Sequence, residues 1–464
     1  MFTDSLGNPI TAKDGSTAAK IDDFVMGFLA YQARAVNVLA AAQHDPACAL
    51  ANAYAALLCM FLEAPEGPGQ ARGFLESAEA AAGGATERER LTVALTRAWV
   101  DGDIAEVLRL GDDITERYPR DLFVAKLHQY HNFNRGDAPA MLRMAHKVFE
   151  TNRDVAYVHG MRAFAYEQCH RLDAAEADAR AALTLDPAEP WAHHALAHVM
   201  LSQGRIDEGR AFMESVSHHW AGLNSFMYTH NWWHLGLFAL SQGDTESALA
   251  IHDRHVWGID KSYTQDQVGA VSFLARLDLA GVDVGERWAE LGAHLVGRAQ
   301  DTVIPFLTMQ YLYGLARAGR EEADSLMRAV RHKADTAAPF EHSAWAEVAL
   351  PACEGLLAHA RGDVDRAVHG LGAALPKMQE IGGSHAQRDL FEQIHLDALM
   401  RSGRLVMAQQ KLEERRAFDP DGVPLNRALA VVYDRLGLPM EASVARARAD
   451  ATLAKHGQPA AAAE

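Results

Sequence analysis

The chain is poor in most of what would mark a familiar enzyme or a membrane protein. It has four cysteines in 464 residues, Cys48, Cys59, Cys169 and Cys353, and no two stand as a CxxC pair. That argues against a disulfide framework and a thiolate metal knuckle, and for reduced thiols in a cytoplasmic setting. No run of about 18 apolar residues is present, so no membrane span is expected. The first twenty residues lack an apolar h-region, so no signal peptide is expected either. Basic residues do not dominate: the net charge is −17, with both signs interspersed, which repels phosphate backbones and argues against nucleic acid as a partner. β-Branched runs with period-two alternation are missing, so no strand is predicted. Phosphate-loop and dinucleotide-fold glycine spacings are missing too, and no cofactor is expected.

What is present is length, an apolar composition of 49%, and 23 histidines. The glycines are periodic. Gly102, Gly136, the equivalent place at His170, and Gly204 follow one another at steps of 34 residues. The series continues through Gly243, Gly281, Gly319, Gly362, Gly403 and Gly437 at steps of 39, 38, 38, 43, 41 and 34. Gly67 stands 35 residues before Gly102. A small residue at such a turn ends one helix in the left-handed region and lets the next begin beneath it. Between the turns the chain is rich in Ala and Leu with a 3.6-residue period, as in Asp173 to Leu183.

A 34-residue helix-turn-helix period is the tetratricopeptide signature. Trp232-x2-Leu235-Gly236 reproduces the start of that repeat, and Ala248 stands where the small residue of the second helix belongs. The expected fold is therefore all-α: a tetratricopeptide-type α-solenoid of about eleven helix pairs, a right-handed superhelix closing around a central groove. The expected organisation is one domain over 1–456, with 1–30 and 440–456 as caps and 457–464 as a frayed tail. Longer repeats place insertions at Ser215 to Tyr228 and Ala334 to Ser343, which in a solenoid map to one face.

In such arrays the first helix of each repeat turns its second, fifth, ninth and twelfth residues to the groove. Counting back from the turns, those places hold Tyr157, Gly160, Phe164 and Glu167, then Trp191, His194, His198 and Leu201, then His230, Trp233, Leu237 and Leu240. Trp232 counts as a core packing residue and Trp233 as a groove residue that needs a ligand or another segment over it. His193 reads as packing; His218, His219, His252 and His255 read as loop or helix-face residues. His194/His198 and His230/His234 are both i,i+4 pairs, which is zinc-ligand spacing. No HExxH pattern or interleaved carboxylate accompanies them, so the expectation is hydrogen-bonded histidines and no metal. His234 is not clearly a groove place.

A second constellation runs from Ile381 to Asp389. Two glycines precede Ser384, a predicted N-cap for a helix to about Arg401. His385, Arg388, Asp389 and Glu392 share one side of it, with Gln387 in the same turn. A capped surface helix would explain the pattern; so would an anion site with Arg388 as its charge and Asp389 orienting His385 or Arg388.

These stretches carry a resemblance. Thr86 to Arg90, Tyr157 to Phe164, Trp191 to Val199, Gln203-Gly204-Arg205, His230 to Leu235, Gly285 to Trp288 and Gly382 to Asp389 lie in register with the tetratricopeptide-repeat-protein-38 family, a group with bacterial and animal members. The chain resembles a bacterial member. The resemblance implies a closed tetratricopeptide superhelix and supplies no settled reaction. It also implies an Asn-Asp-x-His segment after Asp301, where this chain has Leu307-Thr308-Met309-Gln310, so Gln310 stands in place of a histidine.

Two functions fit. One is a binding module for a small polar or anionic molecule or a peptide end, held by Tyr157, Glu167, Trp191, His194, Asn231, Trp233 and Gln387, with a homodimer within the expectation. The other is a cofactor-independent hydrolase or lyase, with His198, His230 or His385 as general base and Arg388, Asp389 or Asn231 assisting.

Overall fold

The computed structural model describes residues 1–458; residues 459–464, most of the expected frayed tail, lie outside the described residues. The chain is all-α and built of tetratricopeptide-type helix pairs, as the periodicity predicts. Among the described residues eleven pairs follow one another, from Ala49–Met60 with Gly67–Ala81 to Val423–Arg435 with Pro439–Lys455. Two short strands, Phe2–Thr3 and Pro9–Ile10, form an antiparallel hairpin before the first helix, Gly15–Leu29. That hairpin is too short for a period-two pattern to show in the sequence.

The turn residues do what the spacing requires. Gly102, Gly136, His170, Gly204, Gly243, Gly281, Gly319, Gly362, Gly403 and Gly437 all have positive φ. Where aspartate follows, it caps the next helix: Asp103, Asp137, Asp244 and Asp363 accept from the backbone N–H three residues on. Each such cap contributes about 1 kcal/mol. Gly67 is the exception. It opens a helix, and the left-handed residue of that turn is Glu63, with φ 53°. A charged residue in that place gave no glycine signal.

The chain forms two compact units, Met1–Ala195 with His219–Met227, and Leu196–His218 with Tyr228–Glu464. In the first, Phe24 of the opening helix stacks on Tyr54 and Phe123, so this helix packs on the first helices of two different repeats. In the second, early and late repeats touch. A Cβ on Gly204 would lie 2.9 Å from the Phe418 carbonyl oxygen, Ser241 Oγ donates to Asp419 at 2.8 Å, and His456 reaches Asp207 at 3.1 Å. The second unit thus closes on itself.

Close approach fixes the Ser225–Ser241 helix within that unit. A Cβ on Gly236 would come 2.3 Å from the Phe273 ring, and one on Gly209 would come 2.3 Å from the Phe238 ring. Neighbouring helices on both sides therefore sit at a distance that only glycine permits. The two indoles of this helix exchange the roles the repeat count gave them. Trp233 is 1% exposed and joins the core cluster of Phe273 and Phe391; Trp232 is half-buried and stacks on His255 at 3.8 Å. His252, expected on a helix face, is buried in a π-helical turn, His252–Val256, with Nδ1 3.0 Å from Asp253. The extra residue of that turn rotates it inward.

Candidate functional site

The second unit brings the two sequence constellations together. His230 and His234 stand one turn apart on the Ser225–Ser241 helix, and His198 comes from the neighbouring Pro190–Ser202 helix. The His198 and His234 rings are 4.5 Å apart, and those of His230 and His234 are 4.9 Å apart. All three are buried. His385, the first residue of the His385–Arg401 helix, places its ring 5.5 Å from His198 and its Nε2 3.1 Å from Ser202 Oγ. Burial, with His198 beside it, holds the His230 imidazole down to about 3, so it is neutral at physiological pH.

Trp233 and Asn231 complete this wall. The Trp233 indole lies parallel to His230 at 5.4 Å. Arg276, from the Thr264–Leu279 helix, is buried, and its guanidinium lies 5.1 Å over the indole. Its hydrogens go to Ser272 Oγ at 2.6 Å and to the carbonyls of Ala386 at 2.8 Å and Gln387 at 3.3 Å. Burial pulls this guanidinium down to about 10, which still leaves it charged. One arginine thus ties Trp233 to the start of the His385 helix. Composition of the repeat gave a hint of it, since Arg276 is the one charge between Val268 and Leu277.

Among the described residues, several buried polar atoms in this unit have no hydrogen-bond partner. They include Oδ1 and Nδ2 of Asn231, Nε1 of Trp233, and both amide atoms of Gln310. Asn231 is fully buried. A buried polar group left unpaired costs about 1–3 kcal/mol.

The Gly382-Gly383 turn is built as expected, with φ of 81° and 74° and a capping box between Ser384 and Gln387. A Cβ on Gly383 would lie 2.6 Å from Phe306. The charges beyond it are used differently from the expectation. Arg388 donates back to the Gly383 carbonyl. Asp389 is paired with Arg415, whose Nη2 lies 3.0 Å from Oδ2, and accepts from Gln393 Nε2 at 2.7 Å. A partner 26 residues away cannot be read from helix spacing.

The Asp389 pair makes a pH prediction. Burial pushes the carboxyl up, but the charge and hydrogen bonds of Arg415 outweigh it and hold the pKa down to about 2. A depressed carboxyl stabilises the fold above its ordinary value near 4 and loses that contribution as pH falls through the folded value. Asp389→Asn should cost about 1–2 kcal/mol at neutral pH, discounted for partial exposure. In denaturant unfolding, the gap between wild type and variant should close between about pH 4 and pH 2. A gap independent of pH would show that the pair contributes only packing.

The remaining sequence candidates lie in the first unit. Trp191 stacks on His194 at 4.4 Å and on Tyr31 at 5.2 Å, with Phe164 edge-on at 4.7 Å. Glu167 is buried and accepts from Gln168 at 2.6 Å. Burial, with Glu189 near it, pushes Tyr157 up to about 12. The count along the repeats missed two residues here. Lys126 is buried with Nζ 3.7 Å from the Tyr31 ring and 2.8 Å from the Leu29 carbonyl oxygen. Glu189 is buried and accepts from the Trp191 N–H at 3.2 Å. Burial drives both towards their neutral forms, and their mutual attraction opposes it. Glu189 fits because residue 160 is glycine: a Cβ there would lie 2.6 Å from its Oε2.

The second unit also holds a cleft of about 500 Å³ that sequence reasoning did not find, lined by Asp278, Arg317, His359, Asp397 and Arg401 among others. Its charges pair with one another. His359 joins Tyr313 at 3.2 Å and Asp397 at 2.7 Å, and Arg317 joins Asp278. These residues are scattered across four repeats at unremarkable positions, so no spacing flagged them.

Among the described residues no helix is long and apolar enough to cross a membrane. The tetratricopeptide repeat model matches residues 168–219, which take in the Pro190–Ser202 helix and His198. Solved structures that resemble the chain include a human IFIT1 dimer with PPP-AAAA, at 12% identity and a TM-score of 0.42, covering 96% of each chain. They also include the P58(IPK) TPR domain, at 12% identity and 0.22, covering 79% of this chain and 93% of that one. Yeast Tom70 matches at 12% identity and 0.28, covering 79% and 92%. Residues 168–219 thus carry a tetratricopeptide repeat within an all-α fold of helix pairs.

Proposed function

We propose that the second unit is a binding module for a small polar or anionic molecule, held at the wall of His198, His230, Asn231, Trp233 and His385. The observation that carries this reading is Asn231, an amide with both polar atoms buried and unpartnered among the described residues. An amide offers two donors and an acceptor. A ligand that presents a carboxylate or amide edge would satisfy them, and the Trp233 N–H would supply a further donor. Trp191 and His194, stacked in the first unit, are proposed as a separate aromatic contact there, without a role in chemistry.

A cofactor-independent hydrolase is the second reading. One distance favours it: Ser202 Oγ and His385 Nε2 at 3.1 Å are within reach for a nucleophile and its base. In that reading His198 or His230 would be an alternative base and Asn231 would stabilise developing negative charge.

Native mass spectrometry of the purified full-length chain tests the first reading. A small-molecule adduct is expected on wild type and should be lost from Asn231→Ala, with the helical circular dichroism unchanged. Retention of the adduct in Asn231→Ala would overturn the assignment of the site. Ser202→Ala separates the readings: binding should persist under both, while turnover of the identified ligand is abolished only under the second.

A further inference from the structure

We propose that His198, His230 and His234 form a site for a divalent transition-metal ion of the zinc class. Each of the three imidazoles offers one nitrogen, and these nitrogens lie within 4.8 Å of one another. The rings do not stack: His198 and His234 meet at 59°, and His230 and His234 at 84°. Aromatic side chains that merely fill a core have no need to bring their nitrogens to one point. Three imidazoles that do so are a donor set.

The required movement is small. A tetrahedral zinc ion with Zn–N of about 2.0–2.1 Å sets its nitrogens about 3.3 Å apart. Closing from 4.8 Å is within what rotation about χ1 and χ2 of three side chains supplies. The backbone geometry is already in place, since His230 and His234 share a helix face one turn apart and His198 meets them from the adjacent helix. Two i,i+4 pairs without an intervening carboxylate looked weak as a metal motif in sequence. Two pairs on neighbouring helices could in principle share an ion; what the fold adds is the distance at which His198 meets the His230 and His234 pair.

The donor type selects the ion. Imidazole suits zinc, copper, nickel and iron, whereas magnesium and calcium require oxygen ligands. Three neutral ligands leave the double positive charge of the ion uncompensated in a buried site. A buried double charge favours an anionic oxygen donor near the ion, such as hydroxide or a carboxylate. The metal site itself rests on the three histidines and stands whether or not an organic ligand binds.

The test uses inorganic ions only. Full-length protein, stripped with a chelator, is titrated with zinc by calorimetry and with cobalt(II) by visible absorption. One equivalent of ion per chain is expected, with a cobalt ligand-field band typical of nitrogen donors at low coordination number. His198→Ala, His230→Ala and His234→Ala should each weaken binding by at least about tenfold, a loss that even outer-shell changes can cause. Exposed His342→Ala should leave it unchanged. If the alanine variants unfold, His234→Gln with proton NMR of the wild-type imidazoles replaces them; zinc should then shift three histidines and no others. No stoichiometric ion on wild type overturns the proposal, and so does an ion that all three substitutions leave in place. An organic adduct on a protein that binds no metal overturns this proposal and leaves the small-ligand reading standing.

Discussion

Trp233→Ala should destabilise the second unit by about 3–5 kcal/mol, the usual cost of truncating a buried aromatic side chain, and Trp232→Ala should cost less than half as much. The order is the reverse of what the repeat pattern predicts. In the pattern, Trp232 opens the repeat and packs in its core, and Trp233 looks into the groove. In the fold, Trp233 is enclosed by His230, His234 and the Arg276 guanidinium, whereas Trp232 keeps part of its ring in water against His255. The groove side is buried here because the second unit closes on itself. Urea unfolding followed by far-ultraviolet circular dichroism checks both values. Equal losses would mean that the indoles share the core evenly, and the face assignment would fail. The Trp233 loss should also exceed its area term, because Arg276 then keeps its buried charge with one contact fewer.

The same contrast shows what the sequence could reveal. Turn positions were legible because a left-handed residue has a chemical signature, and every turn glycine of the series from Gly102 to Gly437 obeyed it. Glu63 was not legible, because nothing in a glutamate announces positive φ. Helix-face spacing selected His230 and His198, since i,i+4 periodicity is fixed by the backbone. It could not supply Arg276, Arg415 or Glu189, whose partners come from other repeats. Spacing within one helix says which side chains can share a face. Contact between repeats depends on how closely the helices approach, and that is set by residues such as Gly236 and Gly209, which carry no chemistry themselves. Gln310 lies between these cases. The family resemblance places a histidine there, and the fold shows an amide buried with both polar atoms unpaired among the described residues.

Asn231→Leu should raise the stability of the ligand-free protein while removing ligand binding. The two side chains have similar size, so the substitution fills the same space. In the ligand-free chain it removes two buried polar atoms that lack partners, and relief of that penalty is worth about 1–3 kcal/mol. In the presence of ligand the sign reverses. Ligand at about 100 times its Kd stabilises wild type by about 2.7 kcal/mol, and the variant gains nothing. Thermal unfolding of both proteins, dialysed and then supplemented with the adduct identified by mass spectrometry, reads the two effects separately. A variant that is less stable than ligand-free wild type would show that Asn231 is satisfied within the fold, by a trapped water for example, and belongs to the architecture. A variant that is more stable and still responds to ligand would move the site elsewhere along the wall. Only higher stability with loss of the response identifies Asn231 as a polar group kept in an apolar core for the sake of binding, at a standing cost to the free protein that a solenoid of alanine and leucine has no structural reason to carry.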